Sequence, residues 1–303
     1  MKRILITGAN SYVGTSFEKW MQQYPDYEVD TIDMIDGEWR NRSFSGHYAI
    51  FHVAGLAHAD ITNVSEEVKK KYYAINCDMA IETAKKAKAD GVKQFIFMSS
   101  MSVYGESAPV GKQRIIDENT PTSPANFYGD SKVQAEKGLL ELNDENFQVV
   151  ILRPPMVYGK GSKGNFPTLE KFAKTLPVFP SIKNERSMIF VNNLCEFVHL
   201  AIDREVSGIF YPQNIEYVTT SKMVEKIAAE HHKRIWVTPI FNWAIYMVSR
   251  MPGQYGKLCN KAFGSLVYAK DLSEGPIKMS EYQTVSFETS IQLTRTDGEE
   301  EAV

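Results

Sequence analysis

The chain has 303 residues, enough for one large domain or a domain with a smaller cap, each with its own core. With 43% apolar and 23% charged residues it has the composition of an ordinary globular protein, and a formal net charge of −3 argues against a nucleic-acid partner, which needs a basic face. Cys77, Cys195 and Cys259 are widely spaced, form no CxxC pair and join no histidine cluster, so they read as reduced thiols and no metal site is expected.

Lys2 and Arg3 precede an apolar run that stops at Thr7-Gly8, too short for a leader, and no segment approaches the ~18 apolar residues of a membrane span. The expected compartment is the cytoplasm. Residues 3–7 predict a short apolar strand. Residues 12–24 follow as a helix with Val13, Phe17, Trp20, Met21 and Tyr24 on one face. Residues 28–33 and 48–53 predict two further strands. A long helix is expected over 65–90, stopped by Gly91. Then come a strand at 94–98, a helix at 128–142 and a strand at 148–152. Such alternation predicts an α/β fold: a doubly wound parallel sheet with helices on both faces, over 1–153.

After Arg153 prolines cluster at 154, 155, 167, 177 and 180 and the helices shorten. Residues 154–288 therefore read as a smaller, mixed part, interleaved with the first and covering the carboxyl ends of the strands, where open sheets bind ligands. The apolar run 239–248 reads as a helix buried against this cap, a membrane-surface helix being the alternative. Residues 289–303, ending in an acidic stretch, are expected to be disordered.

Directly after the first strand stands Thr7-Gly8-Ala9-Asn10-Ser11-Tyr12-Val13-Gly14. Gly8 and Gly14 have the spacing of a GxxGxxG dinucleotide loop opening a helix whose N-terminus offers N–H groups to a pyrophosphate. Ser11 departs from the central glycine and brings a hydroxyl. Asp33, at the end of the second strand, is placed to meet ribose hydroxyls, which favours NAD over NADP; Arg40 and Arg42 are the counter-candidates for a 2′-phosphate. Phe97-Met98-Ser99-Ser100-Met101-Ser102-Val103-Tyr104-Gly105 leaves a strand end with hydroxyls able to hold a substrate oxygen. Tyr128 and Lys132, in Tyr128-Gly129-Asp130-Ser131-Lys132, are four apart on one helical face. A free tyrosine holds its proton until pH ~10, and Lys132 with a positive nicotinamide is the type of charge that lowers this toward neutrality for base catalysis.

Taken together, TGANSYVG, the strand-end Asp33, FHVAG, SSMSVYG, YGDSK and LRPPMVYG resemble the extended short-chain dehydrogenases with a Rossmann-type fold, in the NAD-dependent epimerase/dehydratase group. The resemblance implies Ser100, Tyr128 and Lys132 as catalytic residues, and Val53, Ala54, Gly55 and Asn76 as residues around the cofactor. It places Asn165 and Arg186 near a nucleotide diphosphate, with Ser100 and Ser102 toward the sugar. The segment LRPPMVYG with KGNF and NERSMIFVNNL is similar to bacterial UDP-sugar 4-epimerases and 4-ketoreductases. Sugar-nucleotide 4,6-dehydratases carry Thr-Asp-Glu where this chain has Ser100-Met101-Ser102, and a thioether transfers no proton. The expectation is an NAD-dependent C4 epimerase of a nucleotide sugar, with a 4-ketoreductase making a 6-deoxy amino sugar as the alternative. A non-catalytic NAD-binding regulator fits less well, because both Tyr128 and Lys132 are present. The sugar, and a UDP or lipid-diphosphate carrier, stay open. The resemblance also implies a homodimer paired through helices 65–90 and 128–142.

Overall fold

The computed structural model describes residues 1–57 and 64–295. Its first half runs β1 (Lys2–Thr7), α1 (Tyr12–Met21), β2 (Tyr27–Ile32), β3 (Ala49–His52), a long helix in two parts, α2 (Glu66–Tyr73) and α3 (Met79–Ala89), then β4 (Gln94–Met98), β5 (Ile115–Ile116), α4 (Phe127–Leu140) and β6 (Gln148–Leu152). The second half adds β7 (Met156–Tyr158), α5 (Phe166–Thr175), β8 (Val178–Pro180), β9 (Met188–Phe190), α6 (Val191–Asp203), β10 (Gly208–Phe210) and α7 (Thr220–Glu230). It closes with β11 (Trp236–Thr238), α8 (Asn242–Ser249), α9 (Gln254–Phe263), β12 (Val267–Tyr268), α10 (Met279–Tyr282) and α11 (Phe287–Thr294).

Six strands form one parallel sheet in the order β10-β6-β4-β3-β1-β2. A parallel sheet is covered on both faces, so its strands must be apolar throughout. Ile4, Leu5 and Ile6, Ile50 and Phe51, Phe95 to Phe97 and Val149 to Leu152 are accordingly all buried. The chain leaves β1 toward β2 on one side and later enters β3 on the other. Two successive loops thus part at the carboxyl ends of β1 and β3, and this is where an open sheet makes its ligand crevice.

The part after Arg153 is woven into the first. Strand β10 pairs with β6, and α6 packs on α1. One apolar cluster joins Ile4, Phe17 and Phe51 to Phe190, Phe197 and Tyr282. Three two-stranded ribbons, β5–β12, β7–β9 and β8–β11, hold the remaining pieces over the strand ends.

Two expectations need correction. The stretch from residue 289 is not disordered at its start. Helix α11 continues to Thr294, capped by Ser286, whose Oγ accepts from Thr289 N at 3.2 Å. Phe287 and Ile291, four apart, share one face and are buried in the main cluster, and Ser290 Oγ meets Tyr158 Oη at 2.6 Å. Those two side chains suffice to dock a short helix that composition alone marks as polar. Residues 296–303 of the expected tail lie outside the described residues. The run 239–248 is not a buried helix either: in α8 only Ser249 is buried, while Trp243 is 65% exposed and Met247 63%.

Because Ile291 seats α11, Ile291→Ala should lower unfolding stability by roughly 2–5 kcal/mol. Urea denaturation gives the value; an unchanged midpoint would mean that α11 contributes nothing to the core.

Candidate active site

The crevice is built first by close approach of two loops. Gly8 has a φ of 111°, and a Cβ there would lie 2.7 Å from Ala54 N. Only glycine lets the loop after β1 cross the loop after β3 at this distance. Thr7 O accepts from Val53 N at 3.0 Å and from Ala54 N at 2.9 Å, while Ile32 O accepts from Gly8 N and Ala9 N. The ends of β1, β2 and β3 are therefore tied together. Ser11 is the N-cap of α1, its Oγ accepting from Gly14 N at 3.2 Å. That explains the departure from a central glycine: the serine satisfies a helix-end donor. Asn10 takes a left-handed turn, and Val13 packs partly buried against the main cluster.

Several observations fit a dinucleotide here. The N-terminus of α1 follows directly on the Gly8 loop, which lies against Ala54 just past the end of β3. The buried Oη of Tyr12 has no partner among the described residues, and an unpaired buried hydroxyl is costly unless a ligand completes it. Asp33 follows β2 directly and is exposed; one of its oxygens accepts from Ile35 N at 2.9 Å. Arg40 is taken by Glu82 in a two-pronged pair at 2.5 and 2.6 Å and lies over Trp39. Its charge is thus already matched.

Asn76 links the crevice to α4, the helix that carries Tyr128 and Lys132. It sits fully buried in a π-helical turn, Ala74–Asp78, between α2 and α3. Its Oδ1 accepts from Leu56 N at 2.7 Å; its Nδ2 donates to Leu56 O at 3.0 Å and to Ser131 Oγ at 3.3 Å. The loop of Gly55 and Leu56 is so held against α4, and a Cβ on Gly55 would press on Asn76 Oδ1.

Helix α4 is capped by Asn126, which accepts from Gly129 N, and carries Tyr128 and Lys132 one turn apart. Lys132 is buried; its Nζ donates to Met98 O at 2.8 Å and lies over the Phe97 ring. Burial pulls its affinity for a proton down to about 8, with Glu136 acting in the opposite sense. The Tyr128 hydroxyl moves upward, again by burial, with the hydroxyls of Ser100 and Ser102 working against the shift. Among the groups that move Tyr128, burial leads and the two serine hydroxyls oppose it, while the Lys132 ammonium is engaged by Met98 O.

Ser100 caps a short 3-10 turn, Met101–Tyr104. Its Oγ accepts from Ser102 N at 3.2 Å and from Ser102 Oγ at 2.6 Å. With both acceptances made within the turn, the Ser100 hydroxyl turns to Tyr128 and favours the ionised form of that group. Met101 points the other way, buried with Val103, Ile116, Val133 and Tyr268.

Sequence reasoning missed a buried ion pair below this group. Arg153 donates to Glu136 through Nη2 at 2.6 Å and Nε at 3.1 Å, and through Nη1 to Tyr104 Oη at 2.6 Å. Ser99 Oγ also donates to Glu136. The available signal was Glu136 four residues beyond Lys132 on the same face. His52 was missed too: fully buried beside Thr7 Oγ1 at 2.7 Å, it is held neutral by burial, its affinity falling to about 3.

The two residues expected at a diphosphate are not brought together by any hydrogen bond. Asn165 precedes α5, exposed, its side chain making no cap. Arg186 lies between Val218 and Leu266, and its Nη1 donates to Lys261 O at 2.6 Å and Gly264 O at 3.4 Å. Burial lowers its affinity to about 10. A guanidinium held by carbonyls, with no carboxylate bonded to it among the described residues, suits an incoming anion.

A sequence model of the NAD dependent epimerase/dehydratase family matches residues 4–211. The chain is 32% identical over 275 residues to a UDP-glucose 4-epimerase of Vibrio cholerae, covering 84% of this chain and 83% of that one. It is 26% identical over 223 residues to an N-acetyl-α-D-glucosaminyl-diphospho-ditrans,octacis-undecaprenol 4-epimerase of Escherichia coli O157:H7, covering 68% and 64% of the two chains. Its fold is similar, with a TM-score of 0.69 at 15% identity over 96% of each chain, to a UDP-glucuronic acid 4-epimerase from Bacillus cereus in complex with NAD.

The lowered affinity of Lys132 has a sign that can be tested. Its folded value, about 8, lies below its ordinary 10.5, so the folded state releases the proton first. The burden of the buried ammonium is full below pH 8 and is relieved as pH rises from there to 10.5. The stability of Lys132→Met minus that of the native chain should therefore shrink across this window, as read by denaturant melts at a series of pH values. A pH-independent difference would mean that Lys132 is not perturbed.

Proposed function

The chain belongs to the NAD dependent epimerase/dehydratase family, and within it we propose a C4 epimerase of a UDP-hexose or UDP-N-acetylhexosamine, working through a 4-keto sugar. It is an NAD-dependent enzyme of the nucleotide-sugar epimerase and reductase group. The observation that carries the finer reading is the arrangement of Ser100, Tyr128 and Lys132 around a crevice end, with Met101 turned into the core.

NAD supplies a hydride acceptor that can also return the hydride. In the proposed reaction Ser100 donates to the C4 oxygen, and Tyr128 takes the hydroxyl proton and later gives it back. Lys132, four residues along the same face, favours the phenolate when it is charged. Arg186 and Asn165 would hold the diphosphate, leaving the sugar free to present either face. No carboxylate occupies the Met101 position, and Glu106 lies exposed in the following loop. Loss of the C6 hydroxyl therefore lacks its acid. We further propose that two subunits pair through α2–α3 and α4, whose Val68 and Leu140 are left exposed.

Incubation with a panel of UDP-sugars and NAD should give a product of unchanged mass and inverted C4 configuration, seen by chromatography and mass spectrometry. A product lighter by one water would overturn the reading, and turnover of keto-sugars alone would favour the 4-ketoreductase. In the same assay Tyr128→Phe should lower turnover by ~10²–10⁴-fold while cofactor binding persists.

Asp33 is open to ribose hydroxyls and Arg40 is occupied by Glu82, so NAD should bind more tightly than NADP. Calorimetry on cofactor-stripped protein measures both. Tighter NADP binding would reassign the selection to Arg42 or a freed Arg40.

A further inference from the structure

From residue 231 to residue 270 the chain has no aspartate or glutamate but six lysines and arginines, in a protein whose formal net charge is −3. This stretch contains β11, α8 and α9, and much of its apolar surface faces out. Trp243 and Met247, four apart on α8, are 65% and 63% exposed. Tyr255 and Leu258, three apart on the adjoining α9, are 69% and 53% exposed, with Met251 between the helices. Single exposed apolar residues are commonplace, but five large ones on and between two helices packed against each other suggest a surface that meets something.

The rim of the cluster decides what it meets. Arg234, Arg250, Lys257 and Lys261 are exposed, and none is paired with a carboxylate among the described residues. Some exposed cations elsewhere find acids, as in Arg40–Glu82 and Arg204–Glu281, and others such as Lys85, Lys112 and Lys183 find none among the described residues; what sets this rim apart is that the forty-residue stretch carrying it has no acid of its own beside its exposed apolar side chains. The partner must therefore be negative across a broad area and apolar beneath. A nucleic acid matches the charge but leaves Met247, Met251 and Leu258 in water. An anionic bilayer matches both: indole and phenol rings settle at the headgroup level, thioether and leucine side chains reach the acyl boundary, and cations meet lipid phosphates.

We propose that the α8–α9 face docks this protein on an anionic phospholipid bilayer. No helix among the described residues is long and apolar enough to cross a membrane, so the contact is peripheral. The docking face is fastened to the substrate side of the fold. Asn260 Oδ1 accepts from Val110 N at 3.0 Å in the loop that follows the serine segment, and Lys261 O accepts from Arg186. Docking would thus hold the mouth of the site at the lipid surface.

The test is independent of turnover, and so of the substrate reading. The full chain is floated with vesicles of phosphatidylcholine alone or with phosphatidylglycerol added, at low and high salt. It should rise only with the anionic vesicles, and less so at high salt, because charge contacts are screened. Lys257→Gln with Lys261→Gln removes two exposed cations and should weaken partitioning roughly 30-fold, about fivefold to sixfold for each. Trp243→Glu with Met247→Glu should abolish flotation, and both double variants should keep the native melting temperature. If the glutamate pair lowers that temperature, the glutamine pair decides. A native chain that stays down with both vesicle types overturns the proposal. So does equal flotation with neutral vesicles, or with the glutamine pair. A dimer by light scattering that the glutamate pair dissociates, without flotation, overturns it too and assigns the face to a second copy.

Discussion

Glu136 on α4 and Arg153 just past β6 meet inside the protein, and the placement of the candidate catalytic hydroxyls depends on that contact. Ser99 donates to Glu136, and Arg153 donates to Tyr104. The serine segment is therefore clamped at both ends by the two members of one ion pair. Ser100 and Ser102 lie between the clamps, while Tyr128 and Lys132 ride on the helix that carries Glu136. Tyr268 Oη donates to Arg153 O and brings β12 into the same network. A buried pair of this kind is poor evidence for stability, since its desolvation is costly, but losing one partner leaves a stranded charge at a cost of about 3–5 kcal/mol. What the pair secures is the relation between a helix, a strand end and a turn.

The cofactor side is fixed by different means. There the constraint is steric: Gly8 under Ala54, and Gly14 where a Cβ would fall 3.2 Å from Val53 Cγ2. Asn76 couples the two sides, reaching the loop of Leu56 with one end and Ser131 of α4 with the other. A π turn adds one residue to the long helix at the place where that asparagine is needed, a local irregularity common at functional sites. An apolar residue at position 76 would leave Leu56 N and O without their partners, so the loop and α4 would lose their link together.

Much of this was legible in the sequence, for reasons that can be traced. Strands β1, β3, β4 and β6 are unbroken apolar runs, and the Gly8–Gly14 and Tyr128–Lys132 spacings are local, so short windows reveal them. The Glu136–Arg153 pair was not legible, because it joins a helix to a strand end, and nothing local says that two opposite charges seventeen residues apart face inward. Helix α11 escaped because burial of Phe287 and Ile291 depends on a groove formed by distant elements. The run 239–248 misled in the opposite way: hydrophobicity reports that a surface wants covering, not that this chain covers it. Ser11 looked like a defect in a glycine motif until its cap was seen.

The same burial that positions the site also sets its charge. Tyr128 is shifted so as to keep its proton and Lys132 so as to give its proton up, both chiefly by loss of water. Each group alone is thus driven toward its neutral form. A charged form of either group therefore needs support from polar neighbours. Ser100 and Ser102 already oppose the upward shift of Tyr128, and Glu136 already opposes the downward shift of Lys132. The hydroxyls and the carboxylate therefore stand on the side of the charged state that the proposed proton transfer requires. Because Glu136 is itself fixed by Arg153, the ion pair that holds the geometry also bears on the proton affinity of Lys132, so moving either partner would disturb both.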